Sequence, residues 1–347
     1  MRAMIDLRSD TKSLATPEML RAMAEARVGD DASGEDPTVN RLQQRAAEMT
    51  GKAAALFVTS GTQGNLVSLL SLTEPGQEMV ADELAHLLHY EGGGCVRIAG
   101  LMPRLVPNRG GIADPEDVAA ALSVGTVTRG ATGVVVLENT HNLAGGLAVE
   151  PERMQAVAEV AWQAGAAVHL DGARIFNAAV ALGRPVTEFT QWCDSVTFCF
   201  SKSLGAPAGS VVCGSREFVE KAKVYRRLLG GAMRQAGHLA AAATVGLETM
   251  VHRLVVDHRN ARRMAETLAG LPGVKLDLAQ VQTNMMYFVL EREDMTPEEF
   301  CAAMAERGVL VSLPLGAVGK FRLVTHHNVS EDQTAAVCSA LADVLGE

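Results

Sequence analysis

Five short apolar runs punctuate the first two thirds of the chain, at residues 56–59, 134–137, 168–170, 196–200 and 211–212. None alternates with polar residues, and helical stretches separate most of them. A strand that alternates keeps one wet face, whereas a strand that does not is covered on both. The pattern therefore predicts an α/β fold: a mostly parallel central sheet covered by helices, with ligands at the strand ends. A long helix rich in Arg and His over residues 247–268 then leads into a different texture. Residues 283–290 and 309–313 and Phe321–Val324 read as strands, and Thr296-Pro-Glu-Glu299 and Ser330-Glu-Asp-Gln333 read as capping boxes that open two helices. We expect a large domain over residues 15–252 and a smaller α+β C-terminal domain over 253–347. Residues 1–14 should pack against the smaller domain or a partner subunit. No internal repeat or low-complexity linker interrupts this plan.

Composition narrows the picture. The 347 residues suffice for a large and a small domain sharing an interface. With 48% hydrophobic but only 4% aromatic residues, the core should be built from Ala, Val, Leu and Met. A net charge of −9 argues against a nucleic-acid partner, which usually needs a basic face. The six cysteines show no C-x-x-C spacing and mostly sit in apolar contexts, as reduced core residues do. The N-terminus has no apolar signal core, and no stretch approaches 18 uninterrupted apolar residues. A cytoplasmic enzyme with no membrane partner fits best.

Candidate chemistry collects at the ends of the apolar runs. Lys202 follows Ser195-Val-Thr-Phe-Cys-Phe-Ser and precedes a turn rich in Gly and Pro. A strand end is a rigid mount, and a lysine there suits a Schiff base with pyridoxal phosphate (PLP). A surface lysine is the bland alternative, but three other segments supply what PLP needs. Asp171 ends Ala166-Ala-Val-His-Leu, where an unpaired carboxylate would be costly and a pyridinium is a fitting pair; an N-cap is its bland reading. Arg174 follows three residues on. Ser60-Gly61-Thr62 precedes a helix, whose N-terminus can bind phosphate, although alone it is more often a cap. Neither a Walker A nor a G-x-G-x-x-G motif occurs. Two histidine segments, His86-Leu-Leu-His89 and Thr140-His141-Asn142, offer groups that move protons near neutral pH, or else structural imidazoles. The i, i+3 spacing of His86 and His89 does not amount to a metal site, because no cysteine or carboxylate completes a convincing ligand set.

Taken together, these segments resemble the L-threonine aldolase family, PLP enzymes of fold type I (aspartate aminotransferase-like). The likeness runs nearly end to end: Ile5-Asp-Leu-Arg-Ser9-Asp-Thr11, Val28-Gly-Asp-Asp31 with Gly34-Glu-Asp-Pro-Thr38-Val-Asn40, Ser60-Gly-Thr62-Gln-Gly-Asn65 and Leu137-Glu-Asn-Thr-His141-Asn142. It continues through His169-Leu-Asp171-Gly-Ala-Arg174, Ser201-Lys202, Gly231-Ala-Met-Arg234 and Phe321-Arg322-Leu-Val-Thr-His326. The resemblance implies that Lys202 holds PLP, that Asp171 pairs with the pyridine nitrogen, and that Gly61 and Thr62 bind the phosphate. It implies His86 stacked on the ring and moving the β-hydroxyl proton, His141 as a second substrate-side imidazole, and Arg174 near the ring hydroxyl and the substrate carboxylate. Ser9 and Arg322 would grip that carboxylate. Arg234 would reach the phosphate of a neighbouring subunit's cofactor, implying a homodimer with shared sites, within a tetramer by family expectation. Ser203 and Ala232 stand where glycines are expected, Ser33 where relatives carry an aromatic residue, and His89 and Tyr90 also depart from several relatives.

The implied reaction is retro-aldol cleavage of L-threonine or L-allo-threonine to glycine and acetaldehyde. The same scaffold suits β-elimination or hydroxymethyl transfer, which product analysis separates. A non-catalytic PLP-binding protein is the remaining rival, and its cofactor absorbance would ignore every amino acid.

Overall fold

The computed structural model describes residues 4–346. Seven strands form the main sheet: β1 (Ala54–Val58), β2 (Glu78–Asp82), β3 (Met102–Val106), β4 (Thr132–Glu138), β5 (Ala167–Asp171), β6 (Ser195–Cys199) and β7 (Ser210–Gly214). Their spatial order is β1-β7-β6-β5-β4-β2-β3, and only β7 runs against its neighbours. Every residue of β4, β6 and β7 is buried, which is why these segments are apolar without alternation. All five apolar runs are strands. The sequence pattern missed β2 and β3 for a physical reason. β3 is the sheet edge, mostly exposed and carrying Pro103 and Arg104, while β2 is bounded by the acidic Glu78 and Asp82. Glu78 is buried there because Arg104 and Arg129 both bind it.

The core is mostly Ala, Val, Leu and Met, as expected, with buried phenylalanines at its centre. Few aromatics exist, but Phe57, Phe189, Phe198, Phe200, Phe288 and Phe300 are among the largest fully buried side chains. Phe198 meets Phe176 and Phe200 edge-on at 5.2 Å between ring centroids. A second core surrounds Phe288, Phe300 and Phe321, with Phe288 stacked on Phe321 at 5.1 Å. It is formed by the antiparallel strands Val274–Lys275, Met285–Leu290 and Phe321–Val324, with the helices Pro297–Glu306 and Glu331–Leu345 packed against them. Both helices open on capping boxes, at Thr296/Glu299 and Ser330/Gln333. Strand Ile5–Asp6 pairs in parallel with Val309–Leu310, and Leu7 is buried in this second core.

The single long helix expected over residues 247–268 is instead two helices, Gly237–Thr249 and Leu254–Ala269, joined by a 3₁₀ turn at Val251–Arg253 and bent by 49°. Leu247 and Leu254 face the first core, whereas Ala261, Met264 and Leu268 face the second. No single described helix is long and apolar enough to cross a membrane.

Candidate active site

The chemistry gathers beyond the carboxyl ends of β5 and β6. Asp171 is the last residue of β5, and Lys202 lies just past β6. Helix Gly61–Leu72 begins where β1 ends, with the Ser60 hydroxyl accepting the Gln63 N–H at 3.2 Å. Among the described residues, the N–H groups of Gly61 and Thr62 have no acceptor. A Cβ on Gly61 would stand 2.9 Å from Cys199 Sγ, so only glycine lets this helix end sit against β6.

A cavity of about 170 Å³ is lined by Ser9, Thr11, His86, Tyr90, Asn142, Arg174, Lys202, Leu315 and Arg322. Arg322 is held by Asn142, whose Oδ1 accepts from Nη1 at 2.9 Å, and by the Arg8 carbonyl, which accepts from Nη2 at 3.1 Å. Its Nε is buried without a partner, as is the hydroxyl of Tyr287, its cross-strand neighbour. Ser9 Oγ accepts from the Thr11 N–H and hydroxyl, at 3.2 and 3.0 Å. Arg174 donates Nε and Nη2 to the fully buried Asp10 at 2.7 and 2.6 Å, and Ser203 donates a third bond to Asp10. Burial opposes Asp10's charge, but the Arg174 guanidinium outweighs it and holds the carboxyl far below the usual carboxylate range. Two of Arg174's nitrogens are therefore committed to Asp10, leaving Nη1 free of a protein partner among the described residues.

His86 presents its ring to the cavity, with Nδ1 bonded to Glu91 Oε1 at 2.9 Å and Tyr90 packed at 5.3 Å between ring centroids. Burial alone would depress its pKa, but the Glu91 bond and the charges of Asp171 and Glu138 raise it. His89 turns away to the Glu83 carbonyl at 2.8 Å, so the two histidines do not act as a pair. Burial works against the charge of Asp171, yet nearby His86 and Lys202 and a hydrogen bond from Asn65 hold its carboxyl below the ordinary value. That bond, Asn65 Nδ2 to Asp171 Oδ2, measures 2.8 Å.

Of the expected site residues, Gly61, Thr62, Asp171, His141 and Arg234 do not line this cavity, and the last two are bound to other partners. His141 is fully buried, Nε2 lying 3.1 Å from both Asp82 oxygens. Burial pulls its pKa down, but Glu138 and Asp82 overcome this and push it up to about 9. It is thus placed as a buried ion-pair partner of Asp82. Arg234 sits on the surface, Nη1 3.0 Å from Asp30 Oδ2 of its own chain.

A family model described as "Beta-eliminating lyase" matches residues 6–291. The chain is 42% identical to low-specificity L-threonine aldolase 1 of Arabidopsis thaliana, covering 94% of this chain and 92% of the relative. It is 41% identical to the low specificity L-threonine aldolase of Escherichia coli K12, covering 97% and 98%. The chain belongs to the low-specificity L-threonine aldolase family. Among solved structures, threonine aldolase from Leishmania major superposes with a TM-score of 0.82 at 18% identity, covering 98% of this chain and 99% of that one. Serine palmitoyltransferase from Sphingomonas wittichii gives 0.78 at 20% identity, covering 98% and 87%. The fold is PLP fold type I.

L-threonine aldolases depend on PLP, and this structure fits the group. Two free amides at a helix N-terminus suit a phosphate. A buried, ionised Asp171 suits a protonated ring nitrogen, and Lys202 opens onto the same cavity. What the sequence did not single out is the supporting polar set: Asp10, Asn65, Glu91 and Tyr287. Asp10 and Asn65 lay inside recognised motifs and Glu91 near His86, but no local pattern marks a partner 106 residues away, as Asp171 is for Asn65, or 164 away, as Arg174 is for Asp10.

Proposed function

We propose that this enzyme cleaves the Cα–Cβ bond of L-threonine and L-allo-threonine, giving glycine and acetaldehyde. The observation that carries the reading is the convergence of Lys202, His86 and Arg322 on one small cavity, with Asp171 buried nearby. Lys202 would hold the cofactor through Nζ, Asp171 its ring nitrogen, and Gly61 and Thr62 its phosphate. What PLP supplies when bound is an electron sink for the pair released from the breaking bond. The rest falls to the protein. Arg322 and Ser9 grip the substrate carboxylate, with Arg174 Nη1 free to assist, which sets the Cα–Cβ bond in a fixed orientation. His86 accepts the β-hydroxyl proton as the carbonyl of acetaldehyde forms, and Glu91 at Nδ1 stabilises the imidazolium that results. A proton returned to Cα completes glycine.

The matched family model favours a second reading, β-elimination. Aldehyde release from the holoenzyme with L-threonine and L-allo-threonine side by side, coupled to NADH oxidation, decides between them. Aldehyde from either substrate, abolished in Lys202→Ala, supports the aldolase. Pyruvate and ammonia from serine without aldehyde would replace it with the eliminase.

The same reading extends to the assembly: a cytoplasmic homo-oligomer in which Arg234 reaches the partner's phosphate site, each chain divided at residue 252. The exposure of Arg234 and the six free cysteines support it. Light scattering of the wild type, with PLP affinity of Arg234→Ala, tests it. A monomer binding PLP normally would refute it.

A further inference from the structure

The ligand atoms of His86, Glu91 and Asp171 all lie within 4.8 Å of one another, which brings two carboxylates together in a buried place. Like charges so close repel unless something between them compensates. The group between them is the amide of Asn65, itself buried. Its Nδ2 carries two protons and has two acceptors, Asp171 Oδ2 and Glu91 Oε1, each at 2.8 Å. The amide cannot turn over, because Oδ1 would then face two carboxylates with no proton to offer. His169 fixes the same orientation from behind, donating Nε2–H to Asn65 Oδ1 at 3.1 Å. The tautomer of His169 is set in turn by Ser195, whose hydroxyl donates to Nδ1 at 2.8 Å. Burial keeps that imidazole neutral, with its pKa pushed down to about 4, as a fixed tautomer requires. The chain of bonds therefore runs from Ser195 on β6 through His169 on β5 to Asn65, then forks to Asp171 and to Glu91, which holds His86.

We propose that Asn65 is a positioning residue that bridges the ring-nitrogen carboxylate Asp171 and the Glu91–His86 pair, so that cofactor binding and the proton-accepting group are coupled through one amide. This rests on the roles given to Asp171 and His86 above and adds the device that joins them.

The bridge also predicts how the groups titrate. Besides Glu91 and Asp171, His86 faces Glu138, Lys202 and Tyr90, and Glu91 also faces Cys95; none of these changes if only residue 65 is replaced. In Asn65→Ala both carboxylates lose a donor, become more basic and favour the protonated imidazole. The experiment is histidine-selective ¹⁵N NMR titration of the apoprotein, with PLP dissociation constants measured alongside. The Glu91–His86 pair should titrate about one pH unit higher in Asn65→Ala, and PLP should bind about 10-fold more weakly, the scale of one charge-assisted hydrogen bond. His169 should show a single Nε2–H tautomer in wild type. A His86 titration unchanged by Asn65→Ala, or PLP binding weakened without it, would overturn the bridge and leave Asn65 as packing. Should Asn65→Ala fail to fold, Asn65→Ser is read by the same criteria. Because the NMR reading needs no turnover, a wild type that released no aldehyde would defeat the proposed function without touching this result.

Discussion

His86 and Arg322 are each held by named partners that fix what the side chain can do. With Nδ1 committed to Glu91, only Nε2 of His86 is left to meet a substrate hydroxyl. His86→Asn keeps a flat polar group but removes the proton acceptor, so kcat for L-threonine should fall about 10²-fold, a general-base magnitude. A near-normal kcat would give the proton to water. Arg322 is pinned through both terminal nitrogens, yet its Nε lacks a partner and its fork lines the cavity. Arg322→Lys keeps the charge and loses the planar fork. KM for L-threonine should rise about 10-fold or more while the unfolding midpoint stays near wild type, and an unchanged KM would remove Arg322 from the carboxylate site. Sequence alone could name both residues, since residue type and neighbouring motif carry that information. It could not name Asp10, whose role depends on Arg174, 164 residues away.

Elements decide how closely these residues approach. The helix end proposed to bind the phosphate rests on β6 with Gly61 against Cys199 Sγ and Gly64 against Thr197, and the added methyl of Gly61→Ala would meet that sulfur at 2.9 Å. The helix must then move outward, taking two free amides with it, so PLP affinity should fall about 10-fold or more. Restoring space with Gly61→Ala/Cys199→Ala should recover part of the loss. If the double variant binds no better than the single one, helix placement is not what Gly61 provides. Strand identity was legible where an uninterrupted apolar run accompanied burial, as in β4 through β7, but not at β2, which is fully buried yet bounded by Glu78 and Asp82. Nor was it legible at β3, whose exposed edge carries no apolar signal, and the helix break was not legible near Met250, where one periodic stretch serves two cores.

Stability belongs to the whole molecule, and its pH dependence follows from the buried histidines. His169, His258 and His327 are all pushed down by burial to about 4. Between about 6.5 and that value the unfolded chain binds protons that the folded chain refuses. Their contribution is therefore complete above the unfolded value and is lost as pH falls toward 4. His141 has the opposite sign. Raised to about 9, it stabilises fully below about 6.5 and loses that stabilisation as pH climbs through 9. Asp257, pushed up to about 6 by burial, opposes the three histidines over part of the acid range. The apoprotein should melt highest near neutral pH and fall away on both sides. His258 lies outside the cavity, its Nε2 accepting from Asn177 Nδ2 at 3.2 Å, so it can be replaced without touching the cofactor site. His258→Gln should flatten the acid side of the Tm profile, and an acid slope identical to wild type would show that His258 is not among the groups producing it.

The sequence by itself determined the fold class, because continuous apolar runs are the direct imprint of a sheet buried on both faces. It also determined which residue types stand at the strand ends, and so the family and the cofactor chemistry. Only the tertiary structure decided which polar groups support them. His141 was named by its position in a motif, and packing set it against Asp82. Asn65 looked like an ordinary helix residue until folding set two carboxylates on one amide. The reason is the same in both cases: a buried polar group takes its role from the partners that desolvation forces on it, and those partners come from segments far apart in the chain.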